Sequence, residues 1–162
     1  MQAVAQHAGI ARMTIYHHFG SKAGLLEALY DDLAERGRLR ERLSEAFTAN
    51  GVRQRVQKFI GAFCHFWEGD RLVIRRLHAL AELDPEMNTG GRHERRRVAL
   101  RELLSAAMGR PRRSARLRDD IIDALHTLTS FETYDALARA GRTRPRVERL
   151  LVEIARAVLR GR

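Results

Sequence analysis

Apolar residues recur along this chain at intervals of three and four, the spacing that places side chains on one face of an α-helix. These stripes predict helices over residues 52–68, 71–83, 95–108, 114–140 and 145–160. Turn-forming residues, chiefly glycine, proline and asparagine, separate the helices, and no stretch sustains the alternation of a β-strand. The pattern predicts an all-α protein with a short N-terminal unit, residues 1–36, and a five-helix body, residues 37–162.

Two of the predicted helices begin at recognisable N-cap residues, Asp70 for helix 71–83 and Ser114 for helix 114–140. Pro145 suits the first turn of the last helix. The residues expected to form the buried face of helix 71–83 are Leu72, Val73, Leu77, Leu80 and Ala81.

The first 36 residues contain two short helical segments joined by a tight turn. Gly9 supplies the positive φ that such a turn needs. The residues expected to face the interior are Val4, Ile10, Ile15 and Phe19, with the small Ala5 where the helices cross. The side chains expected on or beside the outer face of the second helix are Arg12, Met13, Thr14, Tyr16, His17 and His18. This is the layout of a helix-turn-helix, whose second helix lies in the DNA major groove.

Residues 4–22, VAQHAGIARMTIYHHFGSK, followed by Leu25 and Leu26, closely resemble the TetR (tetracycline-repressor) family of bacterial transcriptional regulators. The resemblance implies that Arg12, Met13, Thr14, Tyr16 and His17 contact base edges of a palindromic double-stranded operator. It implies phosphate contacts for His18 and Lys22, the latter near the positive N-terminal end of a helix. The alternatives are a packing role for Tyr16, a structural role for His18 and a solvated charge for Arg12.

The segment departs from the family pattern at three places. Ala11 stands where the family has a serine N-cap, and Gly24 stands where an acidic residue completes a capping box. Family members also carry a further helix before this segment, so we expect the three-helix domain to lack its first helix. The residues then expected to lack a packing partner are Val4, Ile15, Leu25, Leu26 and Leu29. The alternatives are a gene start upstream of Met1 and a natural truncation.

The resemblance implies that the body encloses a small-molecule effector and pairs with a second copy of the chain. The pocket candidates are Phe59, Phe63, Trp67, Leu77, His78, Leu103, Phe131 and Tyr134. The dimer-interface candidates are Leu125, Leu128, Val147, Leu150, Leu151, Ile154 and Val158. The sequence leaves open whether the seam of the last helix is buried within one protomer or forms the dimer face.

The net charge of +10 lies mainly outside the N-terminal unit, which has three basic and four acidic residues. Residues 91–118 hold ten basic residues against two acidic ones, and this arginine-rich helix predicts a solvated face. An acidic effector and long-range attraction to DNA are the alternatives.

Other features narrow the class of protein. A single cysteine, Cys64, excludes an internal disulfide and a multi-cysteine zinc site. We expect it to be an inert apolar residue, the alternative being metal or thiol sensing with His65 and Glu68. No apolar run is long enough to span a membrane and no signal peptide is evident, which predicts a cytoplasmic protein without membrane association.

The sequence therefore predicts a DNA-binding transcriptional regulator, a repressor released by a small-molecule effector, with no enzymatic activity, cofactor or metal. One alternative is a truncated family member that dimerises or binds ligand without binding an operator. The other is a helical module that binds a small molecule or a metal.

Overall fold

The computed structural model describes residues 1–87, 90–108 and 115–160. Within these ranges the chain is all-α, with ten α-helices, one short 3-10 helix and no strand, which confirms the predicted fold class. The helices are α1 (Gln2–Ala8), α2 (Arg12–Phe19), α3 (Lys22–Arg36), α4 (Leu39–Thr48), α5 (Gly51–Gly69), α6 (Arg71–Leu83), the 3-10 helix (Pro85–Met87), α7 (Gly90–Met108), α8 (Ala115–Leu128), α9 (Phe131–Arg139) and α10 (Arg144–Arg160).

The prediction of a five-helix body is wrong, because the described residues after Arg36 form seven α-helices. Helix α4 was missed. The predicted helix 114–140 is two helices, since Ser130 begins a new one: its Oγ accepts a hydrogen bond from the backbone N–H of Thr133 at 3.2 Å. Ser114, the predicted N-cap of this segment, lies outside the described residues.

Helix α6 has the predicted bounds but a different buried face. Ile74 and Leu77 are buried, whereas Leu72, Val73 and Leu80 are exposed, so the predicted stripe is wrong for these three. Asp70 occupies the N-cap position without a side-chain capping bond. An ion pair also joins α6 to α9, in which Nε of Arg75 donates to Oδ2 of Asp135 at 3.0 Å.

Helix α5 forms the centre of the body and packs against α4, α7, α9 and α10. Its aromatic residues Phe59, Phe63, Phe66 and Trp67 are all buried, and the indole N–H of Trp67 donates to the carbonyl oxygen of Thr129 at 3.0 Å. Each fully buried side chain of this size contributes about 1.5–3 kcal/mol to folding. Burial and the Trp67 hydrogen bond therefore hold the aromatic side chains of α5 in fixed positions.

The N-terminal unit has a small interior formed by Ala5, Ile15 and Leu26, which are buried. The buried Ala5 agrees with a close helix crossing at this point. Val4, Ile10 and Phe19 were expected to face the interior but are exposed, because the described elements around them cover only the Ile15 side of α2. The expectation that Ile15, Leu26 and Leu29 would lack packing partners is also wrong, because Ile15 and Leu26 are buried and Leu29 packs against the core.

Candidate nucleic-acid interface and cavity

Helix α2 presents most of its side chains to solvent. Ile15 is 2% exposed and turns inward, while Met13 on the opposite side is 74% exposed. The other predicted DNA-contacting residues of α2 are exposed, namely Arg12, Thr14, His17 and His18, except Tyr16, which is half-buried. Gly9 has the predicted left-handed conformation, with φ of 66°, and sets the angle between α1 and α2.

Arg12 and Tyr16 are held together along one edge of α2. The guanidinium carbon of Arg12 lies 5.3 Å from the centroid of the Tyr16 ring, and Nη2 of Arg12 lies 3.4 Å from the phenol oxygen. This pair is one helical turn apart, the spacing at which side chains meet. It directs a cation and a hydroxyl group to the same side of the exposed face.

Gly24 lies where the backbone of this structure leaves no room for a Cβ atom. The backbone N–H of Gly24 donates to Oγ of Ser21 at 3.0 Å, which confirms that Ser21 caps α3. A Cβ atom at residue 24 would lie 1.9 Å from the carbonyl oxygen of Phe19, the last residue of α2. The tight connection between α2 and α3 therefore requires glycine at this position.

Lys22 joins the N-terminal unit to the body. Its Nζ lies 2.9 Å from Oδ2 of Asp84 and 2.9 Å from Oε2 of Glu86, both in the segment after α6. These hydrogen bonds raise the pKa of Lys22, and the bond from Lys22 lowers the pKa of Asp84. In this structure the predicted phosphate-contacting amine is bound to two carboxylates.

A second set of ion pairs joins α3 to α7. Nη2 of Arg92 lies 2.8 Å from Oε2 of Glu27 and 2.8 Å from Oδ1 of Asp31, and it donates to the carbonyl oxygen of Glu27 at 2.6 Å. Nη2 of Arg95 lies 2.7 Å from the same Glu27 carboxylate. Helix α3, which follows α2 after two residues, is thus attached to the body at both of these places.

A cavity of about 190 Å³ lies beside these ion pairs, between α3, α4, α5, α6 and α7. Its lining consists of Tyr30, Leu39, Leu43, Phe63, Phe66, Trp67, His78, Arg92, His93, Arg95, Arg96 and Ala99. The structure brings the predicted pocket residues Phe63, Trp67 and His78 together here. The predicted pocket residues that do not line this cavity are Phe59, Leu77, Leu103, Phe131 and Tyr134, which are buried in the core.

The comparison with protein families bears on the N-terminal unit. Residues 1–29 match the family model described as bacterial regulatory proteins, tetR family. The N-terminal unit of the chain is therefore similar to that of tetR-family proteins. The family is one of DNA-binding transcriptional regulators with a helix-turn-helix, and the match covers α1, α2 and the first half of α3. The comparisons with curated proteins and with solved structures gave no match.

The body of the protein contains a buried arginine that the sequence did not reveal. Arg96 is 7% exposed, so the expectation of a solvated arginine-rich face is wrong for it, whereas the side chains of its neighbours Arg95 and Arg97 are 62% and 35% exposed. Arg96 precedes the buried Leu100 by four residues and Leu103 by seven, which places it on the apolar stripe of α7. That spacing was the available signal.

The residues predicted for a dimer interface fall into two groups. Leu125, Val147 and Leu151 are buried within the protomer. Leu128, Leu150 and Val158 are half-buried, and Ile154 is exposed. Part of the α10 seam therefore belongs to the core of one protomer, and a narrower strip remains at its surface.

Cys64 is buried, and burial raises the pKa of its thiol to about 12, which disfavours the reactive thiolate. Glu68 accepts a hydrogen bond from the hydroxyl group of Tyr134 at 2.7 Å. Across residues 1–87, 90–108 and 115–160, no three histidine, cysteine, aspartate or glutamate side chains are grouped as metal ligands, and no helix has the length and apolar character to cross a membrane.

Proposed function

We propose that this protein is a cytoplasmic transcriptional repressor that binds a palindromic operator as a homodimer and is released by a small-molecule effector. The observation that carries the proposal is the exposed face of α2, which lies in the segment that matches the family model. Arg12, Thr14 and His17 on this face offer hydrogen-bonding groups, and Met13 offers an apolar surface for a thymine methyl group. His18 and Lys22 are the proposed phosphate contacts.

The contacts of α3 support release by an effector. The position of α2 depends on α3, which follows it after two residues. Arg92 and Arg95 attach α3 to the wall of the cavity through Glu27 and Asp31. A ligand that displaces these arginines changes how α3 is held. The ligand would bind one arrangement of the chain more tightly, and DNA would bind the other more tightly. Binding of the ligand then weakens binding of DNA, and the reverse.

The proposed dimer uses α8 and α10, with the surface strip of Leu128, Leu150, Ile154 and Val158. A palindromic operator requires two recognition helices about one helical turn of DNA, roughly 34 Å, or a multiple of it apart. We expect Ile154→Arg to shift sedimentation equilibrium toward the monomer while the circular dichroism spectrum stays helical. The matched Arg156→Glu variant on the same helix should leave the dimer unchanged. A stable dimer of the Ile154→Arg variant would show that the interface does not include this strip.

Operator binding is tested by selection of bound duplexes from a random-sequence DNA pool, followed by fluorescence anisotropy on the enriched sequence. The proposal predicts an enriched palindrome that binds at least a thousandfold more tightly than random duplex, within the range for specific DNA-binding proteins. Recovery of no preferred sequence by a folded dimer would contradict it. That outcome would favour the alternative, a family member that dimerises or binds ligand without an operator.

A further inference from the structure

The cavity between α3 and α7 combines a fixed aromatic side with a cationic side. The rings of Phe66 and Trp67 are tilted by 49° with centroids 4.7 Å apart, and Trp67 is held by its hydrogen bond to the carbonyl oxygen of Thr129. The indole N–H is therefore unavailable to a ligand, and this side offers only ring faces and edges. Such a surface favours a flat, apolar group.

The same lining carries a charge without a carboxylate partner among the described residues, that of Arg96. Arg92 and Arg95 are neutralised by Glu27 and Asp31, but Arg96 has no acidic side chain within ion-pair distance in the part of the chain that the structure describes. Its Nε is buried without a hydrogen-bond partner. A guanidinium left in this state is costly, because a buried charge needs compensation.

Among the described residues, the Arg96 guanidinium meets one polar side chain, which satisfies it poorly, and one aromatic ring, that of Phe63, whose centroid lies 5.8 Å from the guanidinium carbon. Nη2 of Arg96 lies 3.1 Å from Nε2 of His126, and the same Nε2 lies 3.1 Å from the carbonyl oxygen of His93. A ring nitrogen either donates or accepts, so Nε2 cannot serve both the guanidinium and the carbonyl oxygen. Burial and the nearby Arg96 charge lower the pKa values of His93 and His126, so the guanidinium is the cation of this cluster.

The volume limits the ligand to a single ring. A cavity of 150 Å³ binds benzene in another protein. At about 190 Å³, this cavity holds one aromatic ring and a small substituent. One uncompensated cation on its wall selects for one negative charge on that substituent.

We propose that this cavity binds a monocyclic aromatic carboxylate, with the ring against Phe66 and Trp67 and the carboxylate on Arg96. The inference rests on the proposed function, for which it names the class of effector. A planar carboxylate matches the two-pronged geometry of a guanidinium and supplies the missing acceptor for Nε. Arg92 lines the same cavity as Arg96, and its ion-pair partners Glu27 and Asp31 are on α3. A carboxylate on Arg96 would therefore lie in the cavity whose wall is attached to α3.

Benzoate and benzamide are the matched probes, because they share the ring and nearly the same shape but differ in charge. Binding to the 162-residue chain is measured by isothermal titration calorimetry. The quenching of Trp67, the single tryptophan of the chain, reports occupancy of the cavity. We expect benzoate to bind at least tenfold more tightly than benzamide. Equal affinities, or no binding of benzoate by the folded protein, would overturn the proposal.

Variants locate the charge selectivity. Arg96→Met should reduce the preference for benzoate over benzamide to less than twofold. Arg97→Met is the control, because Arg97 is the next residue of α7 but pairs with Asp123 on α8 and does not line the cavity. It should keep the preference, and retention of the preference in Arg96→Met would contradict the assignment.

The two proposals fail in different ways. Operator binding without any benzoate binding would refute the ligand class and leave the regulator intact. Benzoate binding by a chain that selects no DNA sequence would support the ligand class and refute the proposed regulation.

Discussion

Helices α2 and α7 place their arginines in opposite environments. Helix α2 exposes Arg12 and buries only Ile15, so its charged group faces solvent. Helix α7 keeps Arg95 and Arg97 at the surface but buries Arg96 beside the aromatic residues of α5. The difference shows that the segment with the recognisable motif exposes its arginine, whereas the segment with the largest positive charge buries one of its own. Net charge alone pointed to DNA, yet the excess lies mainly in the body.

The sharpest test of this comparison is the stability of an Arg96→Met variant without ligand. Replacing a buried, poorly compensated charge by an apolar side chain should raise the free energy of unfolding by about 1–4 kcal/mol. Urea unfolding followed by circular dichroism measures this change. Arg97→Met should instead lose about 0–1 kcal/mol, since it removes a partly exposed ion pair. A less stable Arg96→Met variant would mean that Arg96 is well satisfied and is no ligand site.

The geometry of the N-terminal unit is tested by Gly24→Ala. The new Cβ would overlap the carbonyl oxygen of Phe19, a backbone atom, so we expect a loss of about 1–3 kcal/mol from the unit formed by α1–α3. Amide hydrogen exchange in α2 and α3 measures the loss. Gly69→Ala is the control, because no atom lies within 4 Å of its Cβ position. Equal protection in both variants would show that the α2–α3 connection is not tight.

A smaller gain is expected from Ala11→Ser. Helix α2 begins at Ala11 without a side-chain cap, so a serine there can accept from an unpaired backbone N–H and add about 1 kcal/mol. The measurement is again urea unfolding. Ala8→Ser is the control. Residue 8 is the last residue of α1, where no unpaired backbone N–H is available to a serine hydroxyl group, so this variant should give no gain. Equal effects at both positions would argue against a missing cap.

The smallest effect concerns Lys22. If its amine leaves Asp84 and Glu86 to contact a phosphate, Lys22→Met should reduce the slope of log Kobs against log salt concentration by about 0.9 per protomer. Anisotropy titrations on the selected duplex at several salt concentrations measure the slope. The Asp84→Asn, Glu86→Gln double variant should bind that duplex more tightly, because the competing carboxylates are gone. An unchanged slope in Lys22→Met would refute the phosphate contact.

How far the sequence predicts this molecule depends on whether a feature is local. The left-handed Gly9 and the exposed Arg12, Met13, Thr14 and His17 of α2 follow from neighbouring residues and were predicted, whereas Phe19 was predicted to face the interior and is exposed. Helix α4 was missed because it is short and has only a few apolar residues. The break at Ser130 was missed because the apolar pattern continues on both sides of this single serine. The cavity brings together five helices, so its lining depends on tertiary packing that periodicity does not specify.

The central claim is that the outer face of α2 reads base sequence. Its most direct test is anisotropy on the selected duplex with Arg12→Ala and with Arg53→Ala, which removes an equal charge from the surface of α5. The account predicts that Arg12→Ala weakens specific binding by about 1–3 kcal/mol, roughly 5- to 150-fold, and relaxes the preference at one base position. It predicts little change for Arg53→Ala. Equal, sequence-independent losses in both variants would contradict it.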